Sequence, residues 1–358
     1  MKGKVLVINP GSTSTKIALY DNNKLYAEDT LRHSTEEISQ FPSVVAQKDF
    51  RKSVIEAFMN DHGVQTSDLA AVVGRGGLLK PIPGGTFLVE KELLHDLETE
   101  KYNTHASNLG GILSHEFAKE AGVNAYIVDP VVVDELKDIA RFSGIKDIQR
   151  RSVGHPLNQK AVARKVLAES GKVYDESRVI VAHLGGGISV GAHEEGIVID
   201  MVNGLDGEGP FTPERSGGLP LLDFAKYILD EKLDIHQVKK LIAGNSGMKS
   251  YLDETDIRNI QAMIDEGDGY AKECLDAMCY QIGKAIGEMA VVLKGQVDQI
   301  ILTGGIIYSE YVSETIADYV SWIADVKRYP GEMEMEALFE GARRVEDGEE
   351  SAKHYRDY

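Results

Sequence analysis

Short apolar runs that end in glycine, asparagine and hydroxyl residues alternate along this chain with stretches whose apolar positions recur every three or four residues. Two segments share one layout. "KVLVINPGSTSTKIALYDNNKLY" (4–26) and "RVIVAHLGGGISVGAHEEGIVID" (178–200) each read as a strand, a turn of small residues, a second strand, a polar turn and a third short strand. Helical periodicity follows each: "SVVAQKDFRKSVIEAFMNDHG" after the first, "LLDFAKYILDEK" and "AKECLDAMCYQIGKAIGEMAVVL" after the second. Strands alternating with helices predict an α/β fold, and the hairpin starts predict mixed sheets, antiparallel at one side and parallel beyond. Two copies of the unit predict two similar domains with a cleft between them. The polar stretch "RFSGIKDIQRRSVGHP" suggests a boundary, giving domains 1–150 and 151–330. After Pro330 and Gly331, residues 331–358 read as a helical segment whose Met335, Leu338, Phe339 and Ala342 need a partner surface.

At 358 residues, two domains with ample cores are the expected size. A net charge of −18 disfavours nucleic acid and anionic membranes as partners, but leaves room for a small anion held by a few local cations. The two cysteines, Cys274 and Cys279, lie in a helical pattern and read as buried thiols rather than a disulfide or zinc site. With no signal-like start and no apolar window near ~18 residues, a cytoplasmic location is expected.

The turns carry the chemistry. In "NPGSTSTK" the hydroxyls of Ser12, Thr13 and Ser14 and closely approaching backbone N–H groups suit an anion, with Lys16 as a possible added charge; a plain hairpin turn is the bland alternative. Three consecutive glycines, Gly185, Gly186 and Gly187, are costly in ordinary structure and make sense where backbone lies against a ligand; a glycine-rich β-bulge is the bland alternative. A third segment, "QIILTGGIIYSEYV", ends a strand at Gly304 and Gly305, where an adenosine could rest on backbone, although packing alone explains such a pair. No G-x-x-x-x-G-K-[ST] occurs, so a P-loop is excluded.

Taken in order, "VLVINPGSTSTKIALY", "VVGRGGLLKPIPGGTFLV", "AYIVDPVVVDEL", "RRSVGHPLNQKAVARKV", the long segment from "VAHLGGGISVG" to "ERSGGLP", "LTGGI" and "MEALFEGARRV" resemble the acetokinase family over nearly the whole chain. The resemblance implies two ribonuclease-H-like domains with an interdomain active-site cleft, and a C-terminal helix that returns to the first domain. It implies ATP- and Mg²⁺-dependent phosphorylation of a short carboxylic acid, here expected to be butanoate, with propionate or isobutyrate as neighbouring alternatives. It also implies self-association as a homodimer or larger. A sugar kinase and a non-catalytic actin-like nucleotide switch are the more distant readings.

A carboxylate acceptor is ionised at neutral pH and needs no general base; the obstacle is one anion approaching another. Cations in loops are therefore the residues to seek. Arg75, glycine-flanked after a strand, and Arg215, in a long Gly/Pro-rich loop, match the family's active-site pair; either could otherwise be a solvated charge. His155 precedes Pro156 at a helix entry and could donate to an anion or serve the cap. The resemblance puts His183 beside the phosphates, though a core histidine fits as well. His105 matches a family position more weakly, and could serve a turn before a helix capped by Asn108. Asp129, at a strand end before Pro130, suits Mg²⁺ or its waters, or merely forms the turn. Asn9 stands where sugar kinases carry an Asp, sparing one repulsion against the acceptor, and is a second metal-site candidate. Acetate kinases carry a Glu soon after the adenosine glycines. Here Tyr308 takes that place and Glu310 follows two residues later, which weakens metal ligation by Glu310.

Overall fold

A computed structural model describes residues 3–358. The chain forms two compact units, one made of the residues up to Asp134 together with Met333–Tyr358, the other of Glu135–Glu332.

The first unit is built on a six-stranded sheet ordered β3-β2-β1-β4-β6-β5. Its strands are β1 (Lys4–Pro10), β2 (Ser14–Asp21), β3 (Lys24–Arg32), β4 (Leu69–Arg75), β5 (Thr86–Leu88) and β6 (Asn124–Val128). The first three are antiparallel neighbours, and β1, β4 and β6 run parallel. Leu6, Ile8, Ile17 and Leu19 pack with Ile55 and Phe58 of the helix Lys48–Asp61 and with Ile112 and Phe117 of the helix Asn108–Ala121. Alternation sends Tyr20 to the opposite face. There it stacks on Phe339 of the helix Glu334–Glu346, ring centroids 3.9 Å apart. Met335, Leu338, Phe339 and Ala342 are all buried there. A Cβ on Gly74 would lie 2.1 Å from the Gly110 carbonyl oxygen, and one on Gly110 would lie 2.2 Å from that of Arg75. This pair of bare backbones lets the helix Asn108–Ala121 cross directly over the end of β4.

The second unit repeats the plan. A small hairpin, β7 (Phe142–Ile145) and β8 (Ile148–Gln149), precedes the main sheet. The main strands are β9 (Arg178–Leu184), β10 (Ile188–Glu194), β11 (Ile197–Met201), β12 (Gln299–Gly304) and β13 (Val326–Pro330), ordered β11-β10-β9-β12-β13. The sequence of pairings, two antiparallel and then two parallel, matches β3-β2-β1-β4-β6 of the first unit. One face is covered by the helix Gly269–Val292, which buries both Cys274 and Cys279 as free thiols. The helix Pro156–Glu169 lies against β9 and β12 on the other.

The division falls after Asp134 rather than at 150. Residues 135–150 are tied to the second sheet: the Lys137 N–H donates to the Ile199 carbonyl at 2.9 Å, Glu135 pairs with Lys160 at 2.8 Å, and Arg150 reaches Asp200 at 3.1 Å. Gly331 also stays with this unit, exchanging two backbone hydrogen bonds of 3.0 Å with Gly304. The third strand of the first repeat spans nine residues rather than being short. The helix Leu221–Asp230 forms as its periodicity predicts, but none of its residues is buried. Among the described residues, no helix is long and apolar enough to cross a membrane.

Candidate functional site

In the first unit, register brings the predicted residues to one edge. Asn9 pairs with Lys16 across β1 and β2, and Ile8 pairs with Gly74 on β4, so Arg75 ends the next strand beside Asn9. The Arg75 guanidinium lies 2.9 Å from the Glu334 carboxylate and 3.5 Å from the Asn9 side-chain oxygen, while the Asn9 amide donates to Glu334 at 2.8 Å. Lys16, on the same row, pairs with Glu28 of β3 at 2.9 Å. His105 accepts from the Ser107 backbone N–H and bonds its hydroxyl at 2.8 Å; burial, and then the Arg75 charge, pull its pKa down. Asn108 is not the helix cap. Its side chain accepts from the Leu78 N–H at 2.8 Å and donates to the Asn103 carbonyl at 3.0 Å, bracing the loop that follows Arg75. Asp129 is buried with φ of 37°, a left-handed conformation that Asp tolerates better than most side chains. Its carboxylate accepts from the Gly85 N–H at 2.7 Å, so it both orders the turn and stands at the carboxyl end of β6.

The hydroxyl turn is held from beneath. The Gly11 N–H donates to the Ser14 carbonyl at 2.8 Å, leaving Ser12 and Thr13 exposed at the tip. Arg51, fully buried, donates to the Ser12 carbonyl at 3.1 Å, the Ser14 carbonyl at 2.8 Å, the Thr15 hydroxyl at 3.0 Å and the Gln47 side chain at 3.0 Å. These bonds hold the Ser12 and Ser14 carbonyls from the inner side, while the Ser12 and Thr13 side chains stay at the surface. Burial lowers the Arg51 pKa to about 10, so the group stays cationic at neutral pH.

Neither Arg51 nor Glu334 was identifiable as a site residue in advance. Arg51 looks like a polar position on an amphipathic helix. Glu334 opens an acidic run at a helix N-terminus, where the dipole alone favours carboxylates.

In the second unit the triple-glycine turn closes with the Gly185 N–H donating to the Gly187 carbonyl at 3.1 Å. A Cβ on Gly187 would lie 2.3 Å from Nη1 of Arg215, so the guanidinium is seated directly on the turn. Thr212 joins the two: its hydroxyl donates to the Gly186 carbonyl at 2.8 Å and accepts from the Arg215 N–H at 3.0 Å. Burial lowers the Arg215 pKa, opposed by Glu214 and Asp206. His155, at the entry of the helix Pro156–Glu169, stacks on His183 with centroids 3.8 Å apart, and its Nδ1 lies 2.9 Å from the Ser189 hydroxyl. His183 is buried. Its Nδ1 lies 2.9 Å from the Asn158 amide nitrogen, and its Nε2 lies 3.6 Å from Glu332.

A cavity of about 1050 Å³ is lined by Gly185 and Gly186, by Gly305 and Ile306, and by Asp256 and Arg258. Gly304 ends β12 just before it, with φ of 97°. Glu310 also lines this cavity, opening the helix Glu310–Val320, and Tyr308 stands exposed beside it. The Asp256–Arg258 pair had no signal in the sequence beyond two ordinary charges.

Among the described residues no three His, Cys, Asp or Glu side chains converge as a metal cluster. That is compatible with Mg²⁺, which keeps several waters and takes one or two protein carboxylates plus substrate phosphates. The oxygen donors Asn9 and Glu334, in contact with each other, and Asp129 are of the hard type this ion prefers.

Residues 146–323 match the model of the acetokinase family. A protein of Enterococcus faecalis named probable butyrate kinase is 64% identical over 351 residues, covering 98% of this chain and 97% of that one. Butyrate kinase 1 of Clostridium acetobutylicum is 51% identical, covering 99% of both. Among solved structures, Porphyromonas gingivalis acetate kinase has the same fold, with a TM-score of 0.79 at 18% identity over 96% of this chain and 100% of its own. On full-length identity well above what unrelated chains share, and on the doubled sheet plan, this chain belongs to the acetokinase family.

Proposed function

We propose that this protein is a butyrate kinase, transferring the γ-phosphoryl group of ATP to butanoate, reversibly, to give ADP and butanoyl phosphate. The reading draws on the full-length similarity to proteins named butyrate kinases. The observation that carries it is the Arg215 guanidinium seated against the glycine turn, a fixed cation where a phosphate would rest. Fixed donors of this kind stabilise a transferring phosphoryl without reorganising, and are worth most where water is excluded.

The glycine turns at Gly185–Gly187 and Gly304–Gly305 hold the nucleotide, with adenosine in the cavity beside Asp256 and Arg258 and with His183 near the phosphates. Arg215 and Arg75 neutralise the phosphoryl group and the butanoate carboxylate, and His155 donates a hydrogen bond to the phosphoryl oxygens. The turn at Ser12, Thr13 and Ser14, with Lys16 nearby, adds donors. Asn9, Asp129 and Glu334 would hold Mg²⁺ or its waters, and Glu310, on the adenosine side, would not. When bound, Mg²⁺ supplies charge neutralisation of the phosphate oxygens. His105 shapes the loop beside Arg75. No residue acts as a base, because the acceptor arrives ionised. Self-association, as a dimer or larger, belongs to the same proposal and is read by sedimentation velocity.

Hydroxamate trapping across C2 to C6 acids, straight and branched, tests the reaction directly: butanoate should give the highest kcat/KM. A preference for propionate or isobutyrate would replace the substrate, since one methylene is worth only ~1–3 kcal/mol. No acyl phosphate from any acid would overturn the reading. Arg215→Ala should lower kcat on the order of 100-fold or more, the scale for losing one preorganised donor.

A further inference from the structure

We propose that a buried hydrogen-bond chain, Tyr174–His193–Gln159–Ser189, sets the tautomer of His155 so that Nε2 always presents a proton. The proposal rests on the reading that His155 donates to the transferring phosphoryl group.

The direction of every link can be worked out from one fixed point. The Gln159 amide nitrogen lies 3.1 Å from the Ser189 backbone carbonyl, which can only accept, so this end of the amide is the NH₂. The same nitrogen donates to the Ser189 hydroxyl at 2.8 Å. The Gln159 nitrogen cannot accept the Ser189 hydrogen, and the one other partner of this buried hydroxyl among the described residues is His155 Nδ1, 2.9 Å away, so the O–H donates there rather than stay unpaired. His155 Nδ1 is therefore the acceptor nitrogen, and in the neutral ring the proton sits on Nε2.

The other end of Gln159 locks the amide against rotation. Its side-chain oxygen lies 3.0 Å from His193 Nε2, which must be the donor there. His193 Nδ1 then accepts from the Tyr174 hydroxyl at 2.7 Å. His193 is fully buried, and desolvation, with Lys160 and Arg164 nearby, pushes its pKa down to about 3, so it has one proton to give and the chain has one polarity. Gln159 and Ser189 are likewise fully buried, which keeps water from breaking the sequence of donors.

An imidazole that reversed its tautomer would aim a lone pair at an anion instead of a proton. The chain prevents that from a distance, through residues that touch no substrate; Ser189, Gln159, His193 and Tyr174 are positioning residues.

Selective ¹⁵N-histidine labelling of the full-length enzyme at alkaline pH reads the tautomer, with the His155 signals identified by their loss in His155→Gln. The wild type should show Nε2–H alone. Gln159→Leu should leave Ser189 without a committed direction, so that His155 shows both tautomers and kcat falls about 10–100-fold, the usual scale for losing an outer partner that orients a histidine. KM values should hold. Ser189→Ala, which removes a single oxygen and so spares the fold, should do the same. The relay is overturned if wild-type His155 carries its proton on Nδ1, or if both variants keep the wild-type tautomer. A mixed tautomer with unchanged kcat would overturn instead the role of His155 in phosphoryl transfer.

Discussion

Arg51 shows how a buried charge can shape a surface turn from beneath. Its partners are the Ser12 and Ser14 carbonyls, a hydroxyl and an amide, and among the described residues it forms no ion pair. A full positive charge thus sits beneath a turn that faces outward with hydroxyls. Arg51→Met should leave these acceptors without donors and lower the unfolding free energy by about 2–4 kcal/mol. It should also raise KM for ATP. Urea titration and initial-rate kinetics separate the two effects, and an unchanged KM would confine Arg51 to the fold. At this scale the sequence was partly legible. Arg75, Arg215, His155 and Asp129 stand out by local context, because glycine, proline or a strand end marks each. Arg51 and Glu334 do not, because a buried cation and a half-buried carboxylate look like any polar position until the packing is known.

Among elements, the glycine turns were legible, whereas the edge strand was read but its length was not. Three glycines in a row mark the turn, and Arg215 resting on Gly187 accounts for the last of them. Gly187→Ala should push the guanidinium off the turn and cost kcat nearly as much as Arg215→Ala, with little change in melting temperature. Combining the two substitutions should add little to either alone, because both remove the same contact. A fully additive double variant would mean that the glycine serves something else. By contrast, β3 carries "KLYAEDTLR", largely exposed, with charges on both faces. Edge strands blunt their free backbone with charge, which hides the alternation that betrays an inner strand. The helix Leu221–Asp230 shows the opposite failure: its period is strong, but periodicity says only that an apolar face exists, not that this chain covers it.

For the whole molecule, the doubled layout was readable from two strand-turn-strand segments, but the seam between the units was not. The stretch around 141–156 reads as linker, yet Glu135, Lys137 and Arg150 pair with Lys160, Glu194 and Asp200 of the second unit. Stability should carry a pH signature from His193. Its folded pKa of about 3 lies below the value of 6.5 expected when unfolded. The unfolded state therefore binds the extra proton between these values, and stability is lost as pH falls through that window at up to about 1.4 kcal/mol per pH unit. Unfolding free energies at pH 7, 6, 5 and 4 should fall less steeply in His193→Gln; an identical slope would remove His193 as the cause. One further consequence follows from the helix Glu334–Glu346 belonging to the first unit while the whole of the second intervenes in the chain. During synthesis the first sheet emerges early but must wait, with Tyr20 uncovered and Arg75 lacking its carboxylate, until the second unit has been translated. Nascent chains halted before Met333 should therefore be both sticky and inert, and the ribosome delivers Glu334, the partner of Arg75, only with the piece that seals the fold.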